Sequence, residues 1–184
     1  MTYNNLEEIY QDIDNTRARL IARVSDLNAE QAAFRPDDAS WNTAQILEHL
    51  YLIEGAMARV IQGLTAQAEA AGATNAGKEF QPISLLEFAT RAAGQKFTAP
   101  DPFQPSGTQT IAELLPKLAE SRAAIHALRP RLAEFDATQF TYPHPAFGPL
   151  HGYQWLAFIG LHEARHAAQI KQTLAAMPEQ AAGA

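Results

Sequence analysis

Two histidines spaced four residues apart, His162 and His166 in the run HEARH, are the side chains of this sequence best suited to bind a metal ion. On an α-helix this spacing places two imidazoles on one face, one turn apart, where both can reach the same ion. A third histidine, His49, lies between Ile46 and Ile53 on the apolar face of another predicted helix. Three histidine ligands leave positions open for water or a substrate, which is typical of catalytic metal sites and not of closed structural ones.

The alternative for these histidines is a structural role, since an inward-facing histidine is more often a hydrogen-bonded core residue than a ligand. The positions of the histidines along their helices help to decide between a structural role and metal binding. With a rise of about 1.5 Å per residue, His49 lies roughly 12 Å from the start of its helix and His166 roughly 15 Å from the end of its own. Antiparallel helices bring the two to nearly the same level, whereas parallel helices separate them by roughly 10 Å.

Four long amphipathic helices are predicted to position these side chains. Apolar residues recur at intervals of three and four over residues 5–27, 41–67, 110–132 and 151–176, which is the period of a helix with one buried face. No segment shows the alternation of a β-strand. We therefore predict an all-α fold, a four-helix bundle.

The predicted helix ends carry recognisable signals. Ser40 is the expected N-cap of the second helix, and Thr110 and Glu113 have the spacing of a capping box at the start of the third. Pro116 and Pro130 each remove a hydrogen bond from that third helix and are expected to kink it.

Residues 68–109 interrupt the helical pattern with stretches rich in Ala, Gly, Pro, Ser and Thr, and contain one short predicted helix at 85–93. We interpret them as a crossover from one end of the bundle to the other. This makes the second and third helices parallel and the second and fourth antiparallel, an up-down-down-up bundle. The segment KFTAPDPFQPSG then passes the open end of the site, unless it only covers the outer surface of the bundle. In the first case four of its residues would form an apolar lid: Phe97, Pro100, Phe103 and Pro105.

The length of 184 residues favours one domain, which we place at residues 1–177, with a disordered tail at 178–184. The absence of cysteine excludes disulfides, thiolate zinc sites and a cysteine nucleophile. A formal net charge of -6 without a basic run argues against nucleic-acid binding. Because the N-terminus lacks the pattern of a secretory signal and no apolar stretch is long enough to span a membrane, we expect no membrane partner and a cytoplasmic location.

Two arginines are candidates for binding an anionic substrate. Arg17 and Arg122 lie on the inward stripes of the first and third helices, at about the level of the histidines. The alternative for each is an ion pair with a buried acid such as Glu48 or Glu54.

Polar side chains near the start of the second helix are further candidates. Asn42 and Gln45 precede His49 by two turns and one turn, so both are expected to point toward the mouth of the site, where they would orient water or substrate. Glu163 follows His162 directly and is a candidate general base or a hydrogen-bond acceptor for a metal ligand, but its position about 100° around the helix from His162 favours a solvated side chain. The three other histidines, His126, His144 and His151, are expected on the surface or in loops.

The segments SWNTAQILEHL, KFTAPDPFQPSG and HPAFGPLHGYQWLAFIGLHEARHAAQI, in this order, resemble the DinB-like superfamily of four-helix-bundle metalloproteins. This superfamily includes bacillithiol- and mycothiol-dependent S-transferases. The specific parts are W-x7-H, here Trp41 and His49, and H-x3-H-x2-Q-I, here His162, His166, Gln169 and Ile170. The resemblance implies a divalent metal, usually zinc or nickel, held by the three histidines, and a bundle that often forms homodimers.

These observations predict a metal-dependent enzyme that acts on a small molecule, by thiol S-transfer or by hydrolysis. The resemblance favours the former. Because the chain has no cysteine, the thiol would come from a low-molecular-weight co-substrate. The alternative is a non-enzymatic protein of the stress response that binds a metal or a ligand.

Overall fold

The computed structural model describes residues 1–95 and 97–178, and four long helices dominate these ranges. The helices are α1 (Leu6–Val24), α2 (Ala29–Ala33), α3 (Thr43–Ala70), α4 (Leu86–Ala92), α5 (Ile111–Ala127), α6 (Arg129–Glu134) and α7 (Gly152–Ala175). The strands are β1 (Thr2–Tyr3), β2 (Ile83–Ser84), β3 (Thr141–His144) and β4 (Gly148–His151). The predicted all-α fold is confirmed, with α1, α3, α5 and α7 as the four long helices. Of the tail predicted to be disordered, residues 179–184 lie outside the described residues.

Side-chain caps fix where the long helices begin. The expected box at the start of α5 is present, with Thr110 Oγ1 accepting from Glu113 N and the Glu113 side chain accepting from Thr110 N. The expectation for α3 is wrong by two residues, because Asn42 and not Ser40 is the N-cap. Asn42 Oδ1 accepts from Gln45 N, and Gln45 Oε1 accepts from Asn42 N, so two free amides of the first turn are satisfied reciprocally.

The two prolines of the third predicted helix act differently. Pro116 lies inside α5, whereas Pro130 lies in the first turn of α6. The long predicted helix therefore ends at Ala127, with Leu128 as its C-cap, and a new short helix follows. A proline is tolerated at the start of a helix because its missing N–H has no intrahelical partner there.

Contacts between the long helices give their directions. Along α1 and α7, later residues of one helix meet later residues of the other: Ile13 contacts Gly160, and Arg23 contacts Ala167. The same holds for α3 and α5, since Glu48 contacts Gln109 just before α5 and Glu54 contacts Ser121 within it. Between α3 and α7 the order is reversed, because His49 meets His166 while Met57 and Ile159 line one cavity further along. The bundle is therefore up-down-down-up, as predicted.

The crossover between α3 and α5 returns the chain along the whole length of the bundle. It starts at the C-terminal end of α3, pairs β2 with β1 in an antiparallel ladder, forms α4, and then reaches the N-terminal end of α5. The short helix predicted at 85–93 is present as α4. A 3-10 turn at Asp101–Phe103 precedes the last part of the crossover.

The structure adds two short antiparallel strand pairs that the sequence pattern does not indicate. An antiparallel hairpin of β3 and β4 leads into α7 and pairs Thr141 with His151 and Pro143 with Pro149. Each strand is four residues long and carries a proline, so neither offers the apolar alternation by which a strand is recognised in a sequence. The indole Nε1 of Trp155 donates to Tyr142 O and attaches the hairpin to α7.

The core consists of two apolar clusters. One lies at the end where α3 and α5 begin and includes Leu20, Ile46, Leu50, Leu118 and Ile170. The larger one fills the rest of the bundle and includes aromatic residues of α7. None of the helices in the described ranges is long and apolar enough to cross a membrane.

Candidate metal centre

The structure brings His49 of α3 together with His162 and His166 of α7. Their ring centroids lie 5.3 Å (His49 to His162), 4.9 Å (His49 to His166) and 4.6 Å (His162 to His166) apart. One ring nitrogen of each lies within 4.8 Å of the others. The antiparallel arrangement of α3 and α7 thus places the three side chains at one level, as their positions along the helices predict.

Hydrogen bonds fix the orientation of two of these rings. His49 Nδ1 lies 2.8 Å from the backbone oxygen of Phe103, and His166 Nδ1 lies 2.9 Å from Gln169 Oε1. A carbonyl oxygen only accepts, so each Nδ1 carries the hydrogen. The lone pair of each Nε2 is therefore left for another partner, which is the arrangement that metal-binding histidines adopt.

The surroundings keep the three rings uncharged. Burial lowers the pKa of His49. Burial, followed by the neighbouring imidazoles, lowers the pKa of His162 well below its usual value and that of His166 to about 4. At neutral pH all three rings are thus in the form that binds a metal.

The residues present fit a divalent metal with nitrogen preference. Three neutral imidazoles from two helices supply three of the four ligands of a tetrahedral site and leave one position for an exogenous molecule. Trp41 packs against His49 with ring centroids 5.0 Å apart, and Phe158 stacks on His162 at 6.5 Å. These aromatic rings limit the movement of the imidazoles.

A buried cluster of four charged side chains lies next to the histidines, farther from the start of α3. Its members are Arg17, Arg122, Glu54 and Glu163. Arg17 Nη2 donates to Glu54 Oε2 at 2.6 Å, and Arg122 Nη2 donates to Glu163 Oε2 at 2.8 Å and to Glu54 Oε2 at 3.1 Å. Arg17 also pairs with Glu163. None of the four is more than 8% exposed. This arrangement favours the ion-pair alternative for the two arginines, with Glu54 and Glu163 as the acids and not Glu48.

The expectation of a solvated Glu163 is wrong, since this residue is 1% exposed. Its neighbour His162 faces α3, and a rotation of about 100° around α7 turns Glu163 toward Arg17 of α1 and Arg122 of α5. A helix with neighbours on two sides buries more than the single stripe that its apolar residues mark. The signal in the sequence was the pair of inward arginines, which require buried acids.

Asn42 and Gln45 form the cap of α3, so the functional groups expected to orient a substrate are engaged with backbone amides of the first turn. Gln45 Nε2 also lies close to Gly107 of the crossover. Contact of a substrate with these two residues, or with Arg17 and Arg122, stays a prediction.

The segment predicted to cover the site does pass over the histidines, because Phe103 O meets His49. Phe103 and Pro105 are half-buried there, while Phe97 and Pro100 are exposed. Of the four residues expected to form the lid, Phe103 and Pro105 are therefore the two that are partly covered, and closure of the site by their side chains stays a prediction. A cavity of about 10 Å³ lies between α3 and α7 and is lined by His162 and Glu163 among others. This is the space of about one water molecule and does not accommodate a substrate.

Two contributions to the site were not predicted from the sequence. The Phe103 carbonyl is a backbone group, which no residue type identifies. Glu48 precedes His49 directly and holds the crossover by hydrogen bonds to Ser106, Gly107 and Gln109. The polar run SGTQ after the last proline was the available signal for this contact.

The remaining histidines are not part of the triad. His126 pairs with Asp14 at 2.9 Å, and His151 caps α7 by accepting from Gln154 N. His144 lies on β3 and packs against Phe158 at 4.7 Å.

The stability of the metal-free protein should fall on acidification from pH 7 to pH 5. Burial lowers the pKa of His144, His151 and His166 to about 4, while in the unfolded chain each titrates near pH 6.5. Below pH 6.5 the unfolded chain therefore binds more protons than the folded protein, so the free energy of unfolding decreases. Allowing for the partial exposure of these rings, we expect a loss of roughly 3 kcal/mol in urea titrations. The His166→Gln protein should show a shallower decrease, and an unfolding free energy that is constant from pH 7 to pH 5 would contradict the expectation.

The fold and the three histidines define a class, a four-helix bundle with a candidate metal site between α3 and α7. The chain belongs to the DinB superfamily, whose sequence model matches residues 12–170. That range includes His49, His162 and His166 and spans all four long helices in whole or in part.

Two further similarities agree with this assignment. The chain is 28% identical to the uncharacterized protein YuaE of Bacillus subtilis (strain 168) over 155 residues, which cover 79% of this chain and 85% of YuaE. It also resembles the crystal structure of TT2238, a four-helix bundle protein, with a TM-score of 0.62, 21% identity and coverage of 91% of this chain and 99% of TT2238. At this level of identity the second similarity shows the fold.

Proposed function

We propose that the protein binds one divalent metal ion per chain, zinc or nickel, through the Nε2 atoms of His49, His162 and His166, and that it is a metal-dependent enzyme acting on a small molecule. The observation that supports this most strongly is the pair of Nδ1 hydrogen bonds, to Phe103 O and Gln169 Oε1. These bonds select the tautomer that a metal requires in two rings from different helices. A histidine with only a structural role could carry its hydrogen on either ring nitrogen, so its neighbours would not need to select the same tautomer in two rings.

A bound divalent metal supplies a Lewis acid, which lowers the pKa of a coordinated thiol or water. The chain holds three uncharged imidazole nitrogens close enough together to bind one ion. Phe103 and Pro105 limit the access of solvent to these nitrogens. The chain contains no cysteine, so in the S-transfer reaction a low-molecular-weight thiol is the nucleophile and a small electrophile is the acceptor. Hydrolysis of a small substrate is the second reaction that this centre supports.

Turnover assays separate the enzyme from a protein that only binds a metal or a ligand. The zinc- or nickel-loaded protein is incubated with a panel of low-molecular-weight thiols and electrophiles, and with ester and amide substrates. We expect consumption of a thiol that depends on the metal and is lost in the His49→Ala protein. The matched control is His126→Ala, which removes an imidazole that pairs with Asp14 far from the site and should keep full activity. Stoichiometric metal binding without any turnover would favour the stress-response alternative.

The proposal includes a homodimer, no nucleic-acid partner and a cytoplasmic location, as expected from the sequence. Light scattering coupled to gel filtration measures the first of these directly.

A further inference from the structure

Glu48 is a buried carboxylate whose partners all come from one segment of the crossover. Its Oε1 accepts from Ser106 Oγ at 2.7 Å and from Gln109 Nε2 at 2.8 Å, and its Oε2 accepts from Gly107 N at 3.1 Å. The residue is 4% exposed, and none of the ion pairs among the described residues includes it. A buried carboxylate without a cation is costly unless several donors satisfy it, so these three hydrogen bonds are what keep Glu48 in place.

The same segment also contacts the next residue of α3, His49. Phe103 lies just before these donors, and its backbone oxygen accepts from His49 Nδ1. Consecutive residues of α3, Glu48 and His49, therefore hold consecutive parts of residues 103–109. Glu48 accepts three of the four hydrogen bonds that join this segment to α3, so it is the main polar attachment of residues 103–109 to that helix.

We propose that Glu48 is a positioning residue of the metal centre, which it serves by holding residues 103–109 so that the Phe103 carbonyl selects the tautomer and orientation of His49. Glu48 itself does not contact the three histidines' ligand atoms. Its effect passes through the crossover to Nδ1 of His49 and leaves Nε2 available. This inference rests on the proposed function, because positioning matters only if His49 binds a metal.

The chemistry of the contact explains why the residue is an acid. All three groups that face Glu48 are donors, so a carboxylate satisfies each of them with a lone pair. Glutamine in its place would keep one oxygen for Ser106 and Gln109 and would direct its own N–H toward Gly107 N. The Glu48→Gln protein should therefore hold the segment less well than wild type and better than Glu48→Ala.

The first measurement uses the metal-free protein, so it does not depend on metal binding. Nitrogen-15 NMR of the imidazoles reports which ring nitrogen of His49 carries the hydrogen. Wild type should show one tautomer, with the hydrogen on Nδ1, and Glu48→Ala should show a mixture of both tautomers. Ser106→Ala combined with Gln109→Ala removes two of the three hydrogen bonds from the crossover side and keeps the one from Gly107 N. This double variant provides a second route if Glu48→Ala does not fold.

The second measurement is zinc affinity by calorimetry. Removal of a group that orients a ligand typically weakens metal binding about 10- to 100-fold, and we expect a loss in this range for Glu48→Ala. The Ser106 and Gln109 double variant should lose a similar factor, and the triple variant should lose no more than either. The matched control is Glu120→Ala, which removes an exposed carboxylate of α5 and should leave zinc affinity unchanged.

The outcomes separate this inference from the proposed function. A wild-type protein that binds no zinc overturns the proposed function, while the tautomers of His49 still report whether Glu48 positions the ring. If zinc affinity falls in Glu48→Ala but His49 keeps one tautomer, the effect is not one of positioning and the inference is wrong. Equal zinc affinity of Glu48→Ala and Glu120→Ala would also overturn it.

Discussion

The His49→Ala protein should bind zinc more than about 100-fold more weakly than wild type, a larger loss than substitutions outside the ligand set produce. His49 is the only one of the three candidate ligands that α3 contributes, so its removal leaves two nitrogens on one helix. Two imidazoles one turn apart bind a metal weakly because half of the coordination sphere stays with water. Calorimetry on the metal-free protein, together with elemental analysis after purification, measures the loss.

The control for this experiment is His126→Ala. His126 is also a helical histidine with one hydrogen-bond partner, Asp14, and its side chain is 36% exposed. We expect zinc binding with one equivalent per chain and unchanged affinity. Zinc affinity that is the same in both variants would mean that His49 is a core residue and that the site is not a metal centre.

The Arg122→Ala protein should lose about 3 to 5 kcal/mol of unfolding free energy, as is typical when one partner of a buried ion pair is removed. Arg122 donates to both Glu54 and Glu163. Without it, two buried carboxylates share the single guanidinium of Arg17. Urea denaturation of wild type and variant, with the same slope in both, measures the difference.

Arg129→Ala provides the comparison on the surface. Arg129 pairs with Glu7, and the two side chains are 44% and 48% exposed, so the loss should be about 0 to 1 kcal/mol. If Arg122→Ala is as stable as Arg129→Ala and instead weakens binding of an anionic substrate, then Arg122 anchors that substrate and the ion-pair assignment is wrong.

The long helices and their directions could be predicted because they depend on regular patterns. The stripes of apolar residues marked α1, α3, α5 and α7, and the break in pattern at residues 68–109 marked the crossover. The level of the histidines then followed from the helical rise. These features depend on many residues at once, so an error at one position has little effect.

The predictions that were wrong depend on single contacts and not on a repeated pattern. Both Ser40 and Asn42 are good N-caps for α3. The reciprocal contact of Asn42 with Gln45 decides in favour of Asn42. Glu163 is buried because it contacts α1 and α5, and the spacing of apolar residues along α7 does not reveal these contacts. The Phe103 carbonyl is set by the path of the crossover, which local sequence does not specify.

The layer of four charges between the two apolar clusters fixes the register of the bundle. Apolar side chains tolerate a small sliding of one helix along another, because one methyl group replaces another at little cost. Arg17, Arg122, Glu54 and Glu163 do not, since a shift of one turn would leave each charge against hydrocarbon. It follows that the four positions behave as one unit in mutational terms: single substitutions should be strongly non-additive, whereas joint replacement by apolar residues of similar volume should recover much of the lost stability. Such a variant would keep its fold while α7 gained freedom to slide, and the spacing between His49 and His166 would become variable.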